Sequence, residues 1–531
     1  RTAVRSRSPG GRTVANPIEP RSAGSRSRRL AWMALVLLAA GASGCRSLPR
    51  DSEPGAPSYA LDPPRAGPVA ELAGECVERY RDKSCFLLLD GNQDDLYWRL
   101  ALIDSARVSI DIQTYLWRRD FSGQLLFSRV LDAAERGVRV RLLVDDFLTR
   151  GVDRVIAALD HHPNVEIRLW NPGRARRVGR NLDFLVRLRE LNHRLHNKVL
   201  IVDNLAVIAG GRNIADAYFG LSDSYNFFDL DLLGVGPLLP PVSGMFDDYW
   251  NSPQAVSGVT FYGRATDADI PAVKETLRRR LEDSPLSRIV PVAPRAWDER
   301  FAAGRAAMVP GTAAVIYDKP GEREPSQDAL IGLQRFFRQA RTEVLAANAY
   351  LVPGEPFFEE ARELEARGVH MAIVTNSLGS TNQTIVHHAY SRARRPMLEA
   401  GVAVFEMKYQ GGMQRELDTP PIVSTWVGLH AKAAVIDRKR TFIGSFNFSP
   451  RSRNLNLELG ILVDSPEFGL QVAAVMDRVM APDNAWQLAL NEEDRLSWMS
   501  DDGTLTRQPA QSFWRRVQNG IFGLFPLEQH L

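Results

Sequence analysis

A short pattern occurs twice in this chain: HNKVLIVD from His196 and HAKAAVID from His430, 234 residues apart. Each places a lysine two positions after the histidine and an aspartate five positions after that. With nine histidines and seven lysines in 531 residues, the chance expectation for this spaced triplet is on the order of a hundredth. Two copies therefore point to duplication of a folded unit. The surroundings repeat as well. Tyr115 matches Tyr350 at an offset of 235, and Gly137 matches Gly368 at 231, each glycine inside the tripeptide RGV. Nearly constant offsets over three landmarks mark a duplicated domain.

The elements between the landmarks have a definite syntax. DDLYWRLALIDSA carries helical spacing of Leu96, Leu100, Leu102 and Ile103, and VSIDIQTYLW alternates as a strand does. LLFSRVLDAAERG predicts a helix closed by Gly137, and VRVRLLVDD a buried strand. DALIGLQRFFRQA with VLAANAYLV, and FFEEARELEARG with VHMAIVTN, repeat the order. Helices alternating with strands predict an α/β fold of mixed, mostly parallel sheets flanked by helices.

VLIVD and AAVID read as strands through their β-branched residues. Residues two apart on a strand share a face, so His196 aligns with Lys198 and His430 with Lys432. Asp203 and Asp437 complete the two catalytic signatures, yet their odd offsets turn them away, which suits structural support. Lysine is scarce here, seven against 59 arginines, yet it holds both motif positions. A compact ammonium placed against a phosphoryl oxygen explains that choice. Downstream, AGGRN supplies Asn213 and IGSFN supplies Ser445 and Asn447, both asparagines 17 residues past their histidines. Such donors can hold the oxygens of one phosphate from two sides. Asp229 and Glu458 open apolar strands, and each is a candidate to take the Nδ1 proton of its own domain's histidine, leaving Nε2 to react. A surface carboxylate beside a strand is the alternative for both.

The N-terminus follows another logic. Eight arginines and one acid precede residue 45, and the apolar run Leu30–Ala42 is too short to cross a bilayer, which needs roughly 20 residues. It matches an export signal, and Ala42-Ser43-Gly44-Cys45 resembles a lipobox with Cys45 as the lipidation site. An uncleaved anchor is the alternative. Without those 44 residues the net charge of +3 becomes −4, so the body offers no bulk electrostatic case for nucleic acid. Cys76 and Cys85, nine apart, make a small staple at most. The resulting division is a signal peptide (1–44), flexible tether (45–82), first domain (83–250), linker (251–311), second domain (312–480) and C-terminal extension (481–531).

HNKVLIVD and HAKAAVID, followed by GGRN and GSFN, resemble the phospholipase D superfamily. RGVRVRLLVDD, VTNSLGSTNQTIVHHAY, LHAKAAVIDRKRTFIGSFNFSPRSRNLNLELG and FPLEQHL extend the resemblance to bacterial cardiolipin synthases, of the type without two N-terminal transmembrane helices. It covers residues 83–531 and departs from the common pattern at Leu195 and Ser449. The resemblance implies two phospholipase D-like domains about a pseudo-twofold axis with one shared active site. It also implies transfer at phosphorus through a phosphohistidine without metal or cofactor, with His196 as nucleophile and His430 as acid, then base.

Phospholipids are the implied partners, phosphatidylglycerol first and phosphatidylethanolamine as a candidate second, at a membrane surface. No nucleic-acid partner is expected, and the sequence leaves any protein partner unknown. The implied product is cardiolipin, in a bacterial cell envelope where the chain faces the periplasm as a lipoprotein. A phospholipase D releasing phosphatidic acid is the alternative, and a nuclease is disfavoured by the negative body.

Of the other histidines, the doublets His161-His162 and His387-His388 point apart and read as local polar residues. His193 and Arg194, with Arg174, Arg176, Arg177, Arg180, Arg187 and Arg189, form either a basic approach to His196 or a solvated loop. SFWRRVQNGIFGLFPLEQHL suits either an interfacial segment or packing on the second domain.

Overall fold

The computed structural model describes residues 55–145, 153–172, 193–258, 269–321 and 326–522. They belong to one compact unit, residues 48–173 and 187–531; the other unit lies wholly outside the described residues, as do Cys45 and the segment expected to be an export signal.

The first half contributes ten strands: β1 (Ser84–Leu89), β2 (Ser109–Thr114), β3 (Arg139–Asp145), β4 (Val165–Trp170), β5 (Arg194–Leu195), β6 (Val199–Val202), β7 (Ala206–Gly210), β8 (Tyr225–Phe228), β9 (Asp231–Val235) and β10 (Ala255–Ser257). The second half begins with β11 (Val309–Tyr317), β12 (Glu343–Asn348), β13 (His370–Asn376), β14 (Ala403–Met407) and β15 (Trp426–Leu429). It continues with β16 (Lys432–Ile436), β17 (Arg440–Gly444), β18 (Asn456–Leu457), β19 (Leu459–Asp464), β20 (Ala485–Leu490), β21 (Leu496–Ser500) and β22 (Gly503–Leu505).

Among the described residues the main sheet runs β10-β4-β3-β2-β6-β7-β9-β1 and, through the β1–β11 pairing, on to β11-β19-β17-β16-β12-β13-β14-β20-β21-β22. These pairings form a line with two edges, so the sheet does not close on itself. It is mixed, as expected, but it is not mostly parallel. Only β2–β3–β4 and β12–β13–β14 pair in parallel, because only there does a helix return the chain to the neighbouring strand.

Alternation along the strands sorts side chains into three cores. Ile110, Ile112, Leu200 and Val202 pack beneath the outer helices Asn92–Ser105 and Phe121–Glu135. Val199, Ile201 and Ala209 share a middle core with Ala433, Val435, Ile443 and Ile461 of the other half. Ala434, Ile436 and Phe442 face the helices Asp328–Arg338, Glu355–Ala366 and Thr384–Glu399. Strands apolar on both faces thus serve one outer layer each and one common centre.

Three segment assignments need correction. The tether ends well before residue 82. Ser58 and Ala60 bond to Asn251 and Asp247, and the helix Pro68–Tyr80 buries Val69, Leu72, Ala73 and Cys76, a helical spacing that Pro-rich composition upstream obscured. Cys76 is bonded to Cys85 with Cα atoms 6.0 Å apart, tying that helix to β1. The linker is folded too. β10 pairs with β4, and Leu277, Leu281 and Phe301 from two helices enter the first core, as does Trp297 just ahead of the second helix. Its boundary at 311 falls inside β11, the strand that joins the halves. The C-terminal extension supplies β20, which lengthens the second half's sheet beside β14.

Candidate active site

Two small sheets, separate from the main one, build the site. β5 pairs in parallel with β18, and β8 with β15, each pair joining one strand from each half. His196 follows β5, its amide donating to Leu457 O at 3.0 Å; His430 follows β15, its amide donating to Phe228 O at 2.7 Å. The residue following the partner strand in each case is a carboxylate. His196 Nδ1 therefore donates to Glu458 Oε2 at 2.8 Å, and His430 Nδ1 to Asp229 Oδ2 at 2.6 Å.

This corrects the expectation that each carboxylate serves its own domain's histidine. Both do orient imidazoles, but they are exchanged, because parallel pairing across the halves sets a histidine beside the opposite domain's acid. Both rings line one cavity of about 1140 Å³, together with Tyr115, Tyr218, Tyr350, Asn213 and Asn447.

The rings are held from other sides as well. Tyr115 meets His196 edge-on with centroids 5.2 Å apart, and Tyr350 meets His430 at 5.8 Å. Lys198 Nζ donates to His196 O and lies 5.5 Å from the Tyr115 ring; Lys432 Nζ donates to His430 O and lies 5.5 Å from the Tyr350 ring. The tyrosines that served as repeat landmarks are thus wall residues of the site. Sequence reading missed Tyr218, whose Oη lies 3.4 Å from His430 Nε2, and Phe227, packed 5.3 Å from that ring. It also missed Ser452 and Asn456, which donate to Glu458 Oε1 at 2.6 and 3.1 Å. Asn456 lies two residues before Glu458 on an extended segment, a spacing that could have revealed it.

Burial dominates the electrostatics. It holds His196 down to about 4, Lys198 and Lys432 adding to the effect and Glu458 opposing it. Burial and the Lys432 charge hold His430 down to about 3 against Asp229. Both imidazoles are therefore neutral near pH 7, and with Nδ1–H given to a carboxylate, Nε2 carries the free lone pair. Burial and Lys432 draw Lys198 down to about 7, and burial draws Lys432 down to about 8. Burial raises Asp229 and Glu458, but their histidines and the nearby cations outweigh it, and both net shifts are downward.

Other expected residues divide clearly. Asn213 and Asn447 line the cavity, and the side-chain oxygen of each has no hydrogen-bond partner among the described residues. Ser445 does not face the cavity: its Oγ donates to Glu458 at 2.5 Å and accepts from Leu459 N at 3.0 Å. Gly444 ends β17 paired with Gly460 of β19, which sets Ser445 alongside β19, within reach of the carboxylate. Asp203 and Asp437 stand outside the cavity, each at positive φ in a hairpin turn. Asp203 accepts from the amides of Arg107, Val108 and Ser109, and Asp437 from those of Arg341, Thr342 and Glu343. These contacts fix the turn after each motif strand to the start of the neighbouring strand. They make the aspartates structural members of the signature.

Arg194 is buried and reaches Asp145 Oδ1 at 3.5 Å, so it anchors β5 and is not part of a basic surface. Arg174, Arg176, Arg177, Arg180, Arg187 and Arg189 lie outside the described residues. His387 accepts from Arg394 at 3.0 Å and His162 from Asn164 N at 3.2 Å, local roles in both doublets. Among the described residues no group of three or more His, Cys, Asp or Glu could hold a metal ion, and no helix is long and apolar enough to cross a membrane.

A family profile described as "Cardiolipin synthase, PLD-like domain" matches residues 100–231 and 333–480. Cardiolipin synthase C of Escherichia coli K12 is 34% identical over 466 residues, covering 83% of this chain and 94% of that one. Cardiolipin synthase B of the same organism is 25% identical over 409 residues, covering 76% and 82%. The crystal structure of phosphatidylserine synthase from Haemophilus influenzae Rd KW20 superposes with a TM-score of 0.54 at 14% identity, over 86% of this chain and 100% of that one, which shows a common fold. The chain belongs to the cardiolipin synthase family of phospholipase D-like phosphatidyltransferases, each of its two matched segments supplying one histidine to the common cavity.

Proposed function

We propose that this enzyme makes cardiolipin by moving a phosphatidyl group from one phospholipid to phosphatidylglycerol. The observation that carries this reading is the pair of buried imidazoles, each fixed at Nδ1 by the other half and both lining one cavity. His196 Nε2 attacks the donor phosphorus; the N–P bond forms as the P–O bond to the headgroup breaks, and His430 gives its proton to the leaving alkoxide. His430 acquires that proton once the anionic phosphodiester is bound, because a negative charge beside the ring favours imidazolium. Neutral again, His430 then takes the proton of the incoming glycerol hydroxyl, whose oxygen displaces His196 from phosphorus. Lys198, Lys432, Asn213 and Asn447 balance the phosphoryl charge. Ser445 acts through Glu458, and Asp203 and Asp437 through the fold.

The setting supports the same reading. The export signal and Cys45 fit a lipoprotein of the bacterial envelope facing the periplasm, where lipid substrates lie alongside. The test is lipid mass analysis of vesicles of phosphatidylglycerol and phosphatidylethanolamine incubated with the purified chain, His196→Ala and His430→Ala. Cardiolipin formed only by the intact chain is the expected result. Phosphatidic acid as the sole product would reassign the enzyme as a hydrolase, and unchanged lipids would overturn the reading.

A further inference from the structure

The large apolar side chains most exposed among the described residues are Val423 at 78%, Trp514 at 75% and Phe513 at 69%. Val423 is 90 residues from the adjacent pair Phe513-Trp514, yet both places are linked to the cavity through residues that line it. Val423 follows Ile422, a cavity residue, in a loop held by Ser424 N to Asp418 at 2.7 Å and Thr425 N to Asp223 O at 3.0 Å. Phe513 and Trp514 open the helix Phe513–Phe522. That helix is fixed to the mouth by Arg515, which donates to Thr381 O beside the cavity residue Asn382 and lies 5.7 Å from the Trp426 ring. Trp426 in turn stacks on Tyr225 of the cavity wall at 4.7 Å.

Exposed aromatics on hydrogen-bonded supports, continuous with a catalytic mouth, ask for one kind of partner. Arg507 and Arg516 are exposed alongside, a charge that suits anionic lipid. A lipid whose phosphate enters the cavity must keep its acyl chains outside, and water is a poor place for them. We infer that Val423, Phe513 and Trp514 form a docking rim that inserts into the interfacial layer of an anionic phospholipid bilayer and feeds headgroups to the two histidines. This deepens the lipid reading proposed above and rests on it for the substrate, but not for the contact itself. Trp and Phe at headgroup depth with flanking arginines are the usual composition of such a contact.

The experiment uses the full chain with vesicles of phosphatidylglycerol and phosphatidylethanolamine that carry bromine on their acyl chains, which quenches tryptophan at contact. The intact chain should be quenched, and Trp514→Phe should lose a measurable share of that quenching while still binding. Equal quenching of the two proteins would overturn the proposal. In a second arm, Val423→Ser combined with Phe513→Ser should lower turnover of vesicle lipid about fivefold or more, and leave turnover of a short-chain, monomeric phospholipid unchanged. Equal losses on both substrates would mean damage to the fold and would also overturn it. If Trp514 is quenched but the intact chain makes no cardiolipin, the rim stands and the proposed reaction falls.

Discussion

The two halves give their histidines the same chemistry in different surroundings. At the His196 corner the carboxylate is one node of a polar cluster, Glu458 accepting from Ser445, Ser452 and Asn456 besides the ring. At the His430 corner Asp229 accepts from the ring and from Leu230 N, and the wall is aromatic: Tyr218, Phe227 and Tyr350 surround the imidazole. Each carboxylate comes from the half that does not own its histidine, so neither half holds a complete ring-and-acid pair. A duplicated fold here yields one site by exchange, and the copies have diverged around a shared pair of roles.

The largest test of that comparison separates the histidines. His196→Ala and His430→Ala should each reduce transfer about a thousandfold or more. With a donor carrying a nitrophenolate leaving group, which departs without a proton, His430→Ala should still form a phosphohistidine detectable by mass, and His196→Ala should not. The reverse pattern would exchange the two roles.

Next come the carboxylates. Glu458→Gln and Asp229→Asn should each cost about a hundredfold in turnover, because an amide no longer fixes the Nδ1–H tautomer. The two should part in stability. Glu458→Gln turns an NH₂ toward a cluster of donors, so it should lower the melting temperature more, at a cost of about 1–3 kcal/mol. Equal melting shifts would show that the polar cluster adds nothing at that corner.

A smaller effect distinguishes the lysines. At pH 7.5 Lys198, drawn down to about 7, is about a quarter charged, and Lys432, at about 8, about three quarters. Inorganic phosphate entering the cavity favours both ammonium forms and should take up protons, seen by calorimetry in buffers of different ionisation enthalpy. Lys198→Met should remove more of that uptake than Lys432→Met. The sign for stability follows from the same depression. The unfolded chain binds the extra protons, so the lysine contribution is present at pH values above 10.5 and is lost as the pH falls through 8 and 7.

The smallest effects belong to the turn aspartates. Asp203→Asn and Asp437→Asn should lower stability by about 1–2 kcal/mol with little change in turnover, Asp203 more than Asp437 because it is the more buried. A large loss of activity at unchanged stability would return them to the catalytic group.

The history of these residues shows what a sequence makes legible. Neighbours two apart on a strand share a face wherever that strand goes, so the pairing of each histidine with its lysine could be read directly. So could the strand and helix order, and from their odd offsets a supporting part for Asp203 and Asp437, but not the hairpin turns in which they sit. Composition misled at residues 68–82 and 251–311, where Pro and charge concealed helices whose few apolar residues, Leu72 or Leu277 among them, are enough to dock on a neighbouring core. Ser445 misled because a serine just past a strand end can present its hydroxyl to a phosphate or to a carboxylate, and the offset from His430 is the same for both.

By itself the sequence determined that there are two copies, that each brings one histidine and one lysine, and that lysine is kept where arginine is the rule. These are local patterns, fixed by spacing along a single strand. Only the tertiary structure decided which acid meets which ring. Those contacts span 262 and 201 residues, and they exist because β5 lies parallel to β18 and β8 parallel to β15. Hydrogen bonding between backbones from opposite halves selects the partner, and no spacing within either copy records that choice.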